Sequence, residues 1–205
     1  MAKTTSPYSA AVTGGGFLFN ETNAILPLLL DENAVALIKD EVLHNNLLHI
    51  NSEKSRKRNV AEIKRRFDTM PRSFWYDYMD MDDENKRIAL FFVLLKTYKI
   101  LLDFHANVTM RRWRSATQDI SIDDLFMEFN TISAKDEFVD SWSESTKKKV
   151  ASGYLSILRH CNMLDENDRL IALRPTNVDF YFAIGEPWFL DACLLEPYEI
   201  ETLKR

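Results

Sequence analysis

The residues best suited to chemistry in this chain are cations in three clusters. Between Glu53 and Arg72 stand eight Lys and Arg against Glu53, Glu62 and Asp68, a local balance of +5 over about five helical turns. At 100° per residue Lys54, Arg58 and Arg65 share one face, with Lys57 and Lys64 on its flank, and Arg56 belongs to the same run. A solvated helix face ordinarily carries acidic partners at i+4, and here they are few. The second cluster, Arg111-Arg112-Trp113-Arg114, sets guanidinium groups around an indole. Arg pairs bidentately with phosphate, and the indole serves either as a stacking surface or as an anchor to the core. The third, Lys147-Lys148-Lys149, opens a helix, where cations oppose the helix dipole at a cost of a few tenths of a kcal/mol each. Three lysines there imply an external anion. The chemistry on offer is the binding of phosphate.

Catalysis has weak support. The spacing of His44 and His49 does not place both on one helix face, and no Cys or carboxylate completes a metal set with them. His160 and Cys161 point in different directions on a helix, and Cys161 reads as a packed thiol. Gly14-Gly15-Gly16 lacks the following Lys-Ser/Thr of a P-loop. Glu62-Ile63-Lys64 and Glu84-Asn85-Lys86 fall on helices rather than on a strand that would hold carboxylates around Mg²⁺, and read as charged surface. The expectation is a non-enzyme with no catalytic residue, no metal and no cofactor.

The elements that must position these residues are mostly helices. Residues 1–16 read as an arm closed by the three glycines, which permit a turn other residues would strain. Helices are predicted from Asn20 to Leu30, from Asp31 to His44 with Ala34, Leu37, Ile38 and Val42 as the buried stripe, and from Glu53 to Met70 with Val60, Ile63, Phe67 and Met70 as its seam. Pro71 ends that helix, and the aromatic cluster Phe74-Trp75-Tyr76 with Tyr78 follows. A long helix over 84–104 is apolar on nearly every side, so neighbours must surround it. Ser121 can cap a short helix over 122–130, and a longer one opens at Ser143 or Ser145 and runs to Met163. Lys148, Ser152, Ser156 and Arg159 then lie on its outer face. After the turn Asp165-Glu166-Asn167-Asp168 comes the β-like run Leu170–Leu173, and further helices are read over 176–184 and 187–195. A short helix, a longer helix with small and cationic residues outward, a turn and a β run is the layout of a winged helix-turn-helix. In it the second helix of the pair enters the major groove. That reading is preferred to helix packing alone.

Composition bounds the rest. The chain has 205 residues with 46% hydrophobic content, 5 Gly and 6 Pro, which excludes disorder and collagen-like chains and favours helices over turn-rich β architectures. The fold class expected is mainly α, a compact multi-helix protein with winged-helix-like parts and little β, and it shows no internal repeat. Two cysteines cannot build a disulfide framework, so a cytoplasmic location is expected. Met1 to Ser6 lacks the order of a signal peptide. The greasiest window, 88–104, holds Lys96, Lys99 and Asp103 on one stripe, which argues against a membrane span. The net charge of −5 hides a division: residues 1–116 carry 17 Lys+Arg against 14 Asp+Glu (+3), and residues 117–205 carry 9 against 17 (−8). A domain boundary is accordingly placed at 116/117, separating a helical 1–116 from a winged-helix-like, acidic 117–205.

Several motifs in order resemble one family. Tyr8-Ser9-Ala10, Thr13-Gly14-Gly15-Gly16-Phe17-Leu18 and Glu21 are followed by Asn45-Asn46-Leu47. Next come Ser55-Arg56-Lys57-Arg58 with Ile63 and Arg65-Arg66-Phe67, then Lys96 with Leu102-Asp103-Phe104 and Val108, and finally Trp142-Ser143-Glu144-Ser145-Thr146. The set resembles the BrxA proteins of BREX bacteriophage-exclusion systems. The resemblance implies a small, helical, non-enzymatic protein that binds double-stranded DNA beside other BREX subunits in antiviral defence. It supplies no base-contacting residues, so the assignment of the cations rests on their charge and spacing. Two alternatives stay open. The acidic, aromatic C-terminal part, with Phe180, Tyr181, Phe182, Trp188, Phe189 and Tyr198, suits a protein–protein adaptor, and the same cations suit an RNA.

Overall fold

The computed structural model describes residues 6–204; Met1 to Thr5, where a leader was sought, lie outside the described residues, as does Arg205. The described residues are predominantly helical, and the β pairing among them is two isolated antiparallel bridges. The chain divides into two compact units, one of residues 11–97 and one of residues 98–205 with the first ten. The packing boundary at Thr97–Tyr98 thus precedes the change in composition at 116/117.

In the 11–97 unit a 3₁₀ turn (Ala11–Gly14) leads into α1 (Phe19–Leu30), α2 (Ala34–His44), α3 (Glu53–Phe67), α4 (Arg72–Asp80) and α5 (Asp83–Thr97). The Ser52 hydroxyl accepts from the Ser55 N–H to start α3, and Glu53 lies at its positive end. Val60 and Ile63 of α3 join Leu18, Ile25, Leu29 and Leu48 in one core. The aromatic cluster is a helix, α4, started by Pro71 and burying Phe74, Trp75 and Tyr78. Ile88 to Leu95 of α5 are all buried, as a helix apolar on every side requires.

Two expectations need correction. The helix over 84–104 breaks at Tyr98, whose backbone is extended (φ −121°, ψ 105°), and α6 (Lys99–Phe104) starts afresh there. The Thr97 hydroxyl donates back to the Val93 carbonyl at 2.7 Å, a contact that loosens a helix end. Lys96 therefore does not share a helix with the Lys99–Asp103 ion pair (2.8 Å). On α2, Ala34, Leu37, Ile38 and Val42 are only partly covered, and the fully buried residue is Glu41.

In the other unit α6 continues through a π-helical segment (His105–Thr109) into α7 (Met110–Trp113). Then follow α8 (Ile122–Ser133), α9 (Glu137–Asp140), α10 (Glu144–His160), α11 (Asp179–Ala183), α12 (Trp188–Ala192) and α13 (Pro197–Leu203). The N-terminal arm docks in this unit, Tyr8 donating to Asp103 at 2.7 Å and Ser6 to Asp136 at 3.1 Å. Of the β-like run Leu170 is bridged to Leu164 and Ile171 donates to Met163 O, while Leu173 turns to donate to Cys193 O (2.9 Å) before Pro175 ends the run. Both cysteines are buried thiols, and burial pushes that of Cys193 up.

One buried histidine ties this unit together. The Ala192 carbonyl can only accept, so the His105 Nε2–H donates to it (2.7 Å), while Nδ1 accepts from the Tyr154 hydroxyl (2.9 Å). Tyr154 is bonded in turn to Thr109 (2.6 Å), joining the π segment to α10 and α12. Burial drives the His105 pKa down to about 4 from 6.5. Below pH 6.5 the unfolded chain therefore binds a proton that the native state refuses, and stability falls with pH until about pH 4. Between pH 7 and pH 5 the loss attributable to this ring is about 2 kcal/mol. Urea unfolding at both pH values should show it, and His105→Gln, which keeps a donor and an acceptor, should remove it. An unchanged pH dependence in that variant would assign the acid sensitivity elsewhere.

Candidate nucleic-acid interface

On α3 the outer row is Lys54, Arg58, Ala61 and Arg65, all exposed. Lys57 and Lys64 flank it and are already paired along the helix, with Glu53 at 2.5 Å and Asp68 at 3.0 Å. Arg65 lies 3.9 Å from Glu62, a loose pair. Lys54 and Arg58 make no ion pair among the described residues. Arg56 is placed differently from its neighbours in the run. It is 6% exposed and donates to the carbonyls of Val42 (2.7 Å), Ile50 (2.6 Å), Asn51 (3.2 Å) and Leu43 (3.4 Å). Its guanidinium holds the preceding loop and does not face solvent with Lys54 and Arg58. Arg66 is likewise inward, completely buried, donating to Phe17 O (2.8 Å) and Gly16 O (2.6 Å).

The second cluster divides in the same way. Arg111 and Arg114 are exposed and make no ion pair among the described residues. Arg112 pairs with Asp124, the residue that closes the capping box at the start of α8 with Ser121. That pair holds the Asp124 carboxyl below its usual range despite burial, and raises Arg112. Arg112 thus fixes α7 to the first turn of α8. Trp113 is half-buried beside the two exposed guanidinium groups of Arg111 and Arg114.

On α10 the Ser143 hydroxyl caps the helix by accepting from the Thr146 N–H at 3.2 Å. Val150, Tyr154, Ile157 and Leu158 face inward, which turns Lys148, Ser152 and Arg159 to solvent and leaves Ser156 half-covered. Lys147 leans back onto Ser133 of α8 at 3.0 Å. Lys148 and Lys149 are exposed without an ion pair among the described residues. Arg159 is taken by Asp168 at 2.5 Å, and Ser156 lies beside His160.

The turn after α10 is a small hairpin. Ile171 donates to Met163 O (2.9 Å) and Asp165 N–H to Arg169 O (3.0 Å). The segment before α8 adds to its other edge through Leu170 N–H to Gln118 O (2.8 Å) and Ile120 N–H to Asp168 O (3.3 Å). Its tip, Asp165, Glu166 and Asp168, is acidic. A polyanion would meet α10 at Lys148, Lys149 and Ser152 and be repelled at the tip. The sequence groups thirteen cations by charge and adds Ser152 and Ser156 on the face of α10. The structure leaves Lys54, Arg58, Arg111, Arg114, Lys148 and Lys149 as the open cations, gives Lys57, Lys64, Arg65, Lys147 and Arg159 local partners, and places Arg56 and Arg112 within the scaffold.

Comparison with known proteins gives a consistent picture. A family model described as BrxA matches residues 6–177. The chain is 25% identical over 108 residues to the BREX protein BrxA of Escherichia coli O9:H4 (strain HS), an alignment covering 53% of this chain and 51% of that protein. The match thus spans about half the length of that relative. The fold is similar to the crystal structure of an uncharacterized protein from Magnetospirillum magneticum, with a TM-score of 0.77 and 22% identity over 92% of this chain and 98% of the other.

Proposed function

The chain belongs to the BrxA family, and on that premise we propose that it is a non-enzymatic, double-stranded-DNA-binding accessory protein of BREX-type bacteriophage defence, acting in the cytoplasm beside other BREX subunits. The observation that carries the reading is the outer face of α10. Lys148, Lys149 and Ser152 stand open on the second long helix of a helix pair that is followed by a hairpin, while Arg159 of the same helix is paired with Asp168. Arg111 and Arg114 lie in the same unit, and Lys54 and Arg58 add a cationic row in the other. No helix among the described residues is long and apolar enough to cross a membrane.

The test is fluorescence anisotropy with a random-sequence duplex at 50 and 200 mM salt. If the six open cations each neutralise a phosphate, affinity falls by about 10³ across that range. Absence of binding at 50 mM salt would overturn the reading, and preference for duplex RNA in competition would redirect it to RNA. A second reading, an adaptor, is favoured by one observation. Tyr198 is 70% exposed and Phe182 38% exposed in a segment that also exposes Glu196 and Glu201, which suits a cationic protein surface.

A further inference from the structure

We infer, resting on the DNA-binding reading, that the loop between α2 and α3, residues 45–51, is a preformed base-contacting element, with the cations of α3 as its phosphate-contacting neighbours. The loop is fixed from both sides by buried charges of opposite sign. The Glu41 carboxylate, 2% exposed, accepts the N–H groups of Asn46 (3.1 Å), Leu47 (3.0 Å) and Leu48 (2.9 Å). The Arg56 guanidinium holds the carbonyls of Ile50 and Asn51 at the end of the loop and those of Val42 and Leu43 in the last turn of α2. The Asn45 side chain accepts from the Ile50 N–H at 2.9 Å. Asn45 and His49 are held in left-handed conformations, φ 60° and 52°, which non-glycine residues adopt at a cost.

Joining two helices does not require such a device, since a short polar connection suffices. Burying a carboxylate and a guanidinium is costly unless each is fully bonded, and here the carboxylate is bonded to the main chain of the loop and the guanidinium to that of the loop and of the last turn of α2. The result is a rigid backbone with three hydrogen-bonding side chains directed outward. Asn46, His49 and Asn51 are exposed, and their side chains make no hydrogen bond among the described residues. Leu47, 43% exposed, stands among them. Asn donates and accepts at once, the pattern that matches adenine in the major groove, and an apolar side chain matches the thymine methyl. Ser52 then caps α3, and Lys54 and Arg58 follow on either side of Arg56 in sequence. Phosphate contacts position and base contacts specify, so a rigid polar loop clamped to a cationic helix supplies both. Because its shape is set in advance, binding need not order it.

The test uses the full chain and a random duplex library, from which bound sequences are selected. The wild type should enrich a preferred site and hold it at least tenfold more tightly than a scrambled duplex. N46A/H49A/N51A, which alters only exposed side chains, should bind scrambled duplex within twofold of the wild type with the same salt slope, yet lose the discrimination. R56K keeps the charge but not the guanidinium fork. It should lose discrimination too, with helical circular dichroism retained. Undiminished discrimination in the triple variant, equal loss on both duplexes, or a wild type that selects no sequence would each overturn the inference while leaving duplex binding intact. A wild type that binds no duplex at 50 mM salt would instead remove the reading beneath it.

Discussion

K148E/K149E is expected to bind a random duplex at least about 60-fold more weakly than the wild type at 0.1 M salt. Each phosphate contact contributes a slope of about 0.9 in log K against log salt, so at 0.1 M it contributes close to tenfold relative to 1 M. Two lost contacts give about 60-fold, and the repulsion of two new carboxylates adds to it. The slope itself should fall by about 1.8, which is the sharper reading because it counts contacts rather than strength. The control is K135E/K204E, which changes the net charge equally. Lys135 lies between α8 and α9, and Lys204 pairs with Glu201 over the Phe182 ring. A polyanion drawn only by overall field would respond alike to both variants. Equal losses, or K148E/K149E within threefold of the wild type, would show that α10 is not the contact. The adaptor reading expects this second result together with retained binding to a protein partner.

The outer row of α3 and the outer face of α10 were legible because both helices are amphipathic with a strict period, and the open and buried sides follow from angle alone. The same arithmetic held a signal that charge obscured. Arg56 precedes Val60 by four and Ile63 by seven, and Arg66 follows Ile63 by three, so both lie on the buried row. Glu41 stands three after Ile38, on the apolar side of α2, and is the residue that side buries. Grouping Arg56 with the surface cations followed residue type where position should have decided. Other features left no local trace. Thr97-Tyr98 carries no Gly or Pro to mark the break; the Thr97 back-bond to Val93 O loosens the helix end where the chain passes from one unit to the next. The acidic C-terminal segment forms α11, α12 and α13, each too short to be stable alone, so packing of Tyr181, Phe189 and Ile200 holds them rather than propensity.

Arg56 and Arg66 also explain how a basic helix can hold a scaffold while leaving other cations open on its outer face. Each inward guanidinium satisfies carbonyls of a segment that has no partner strand or helix, Arg56 the loop before α3 and Arg66 the turn at Gly16 and Phe17. Lys could not do this, having no planar fork to reach several carbonyls. Each fixed segment lies against α3. The turn itself needs glycine at Gly16, whose φ of +62° lies in the left-handed region, while a Cβ at Gly15 would meet Glu62 of α3 only at 3.4 Å. The exposed Arg58 and Arg65 between these inward residues are thereby carried on a helix that is hydrogen-bonded to its neighbouring segments on both sides.

Removing the inward charge should accordingly cost far more than removing an outward one. R66M is expected to destabilise the full chain by about 3–5 kcal/mol, the range for breaking a buried pair from one side. Two carbonyls lose their donors, and the Glu62 carboxylate, 3.7 Å from Arg66 and buried, is left without its main counter-charge. Burial already raises the Glu62 pKa in the wild type against the pull of Arg66. Without Arg66 it rises further, so the variant's native state holds a proton that the unfolded chain releases. A group whose native pKa is raised loses stability as pH increases, so R66M should weaken from pH 5 toward pH 8. E62L/R66M removes the orphaned carboxylate with its partner and should recover part of the loss and abolish that pH trend, since the two residues act as a unit. Urea midpoints of the three chains at both pH values decide the matter. A cost below about 1 kcal/mol for R66M, or a double variant as weak as the single one with the same pH trend, would mean that neither the carbonyl clamp nor the buried pair holds the turn to α3.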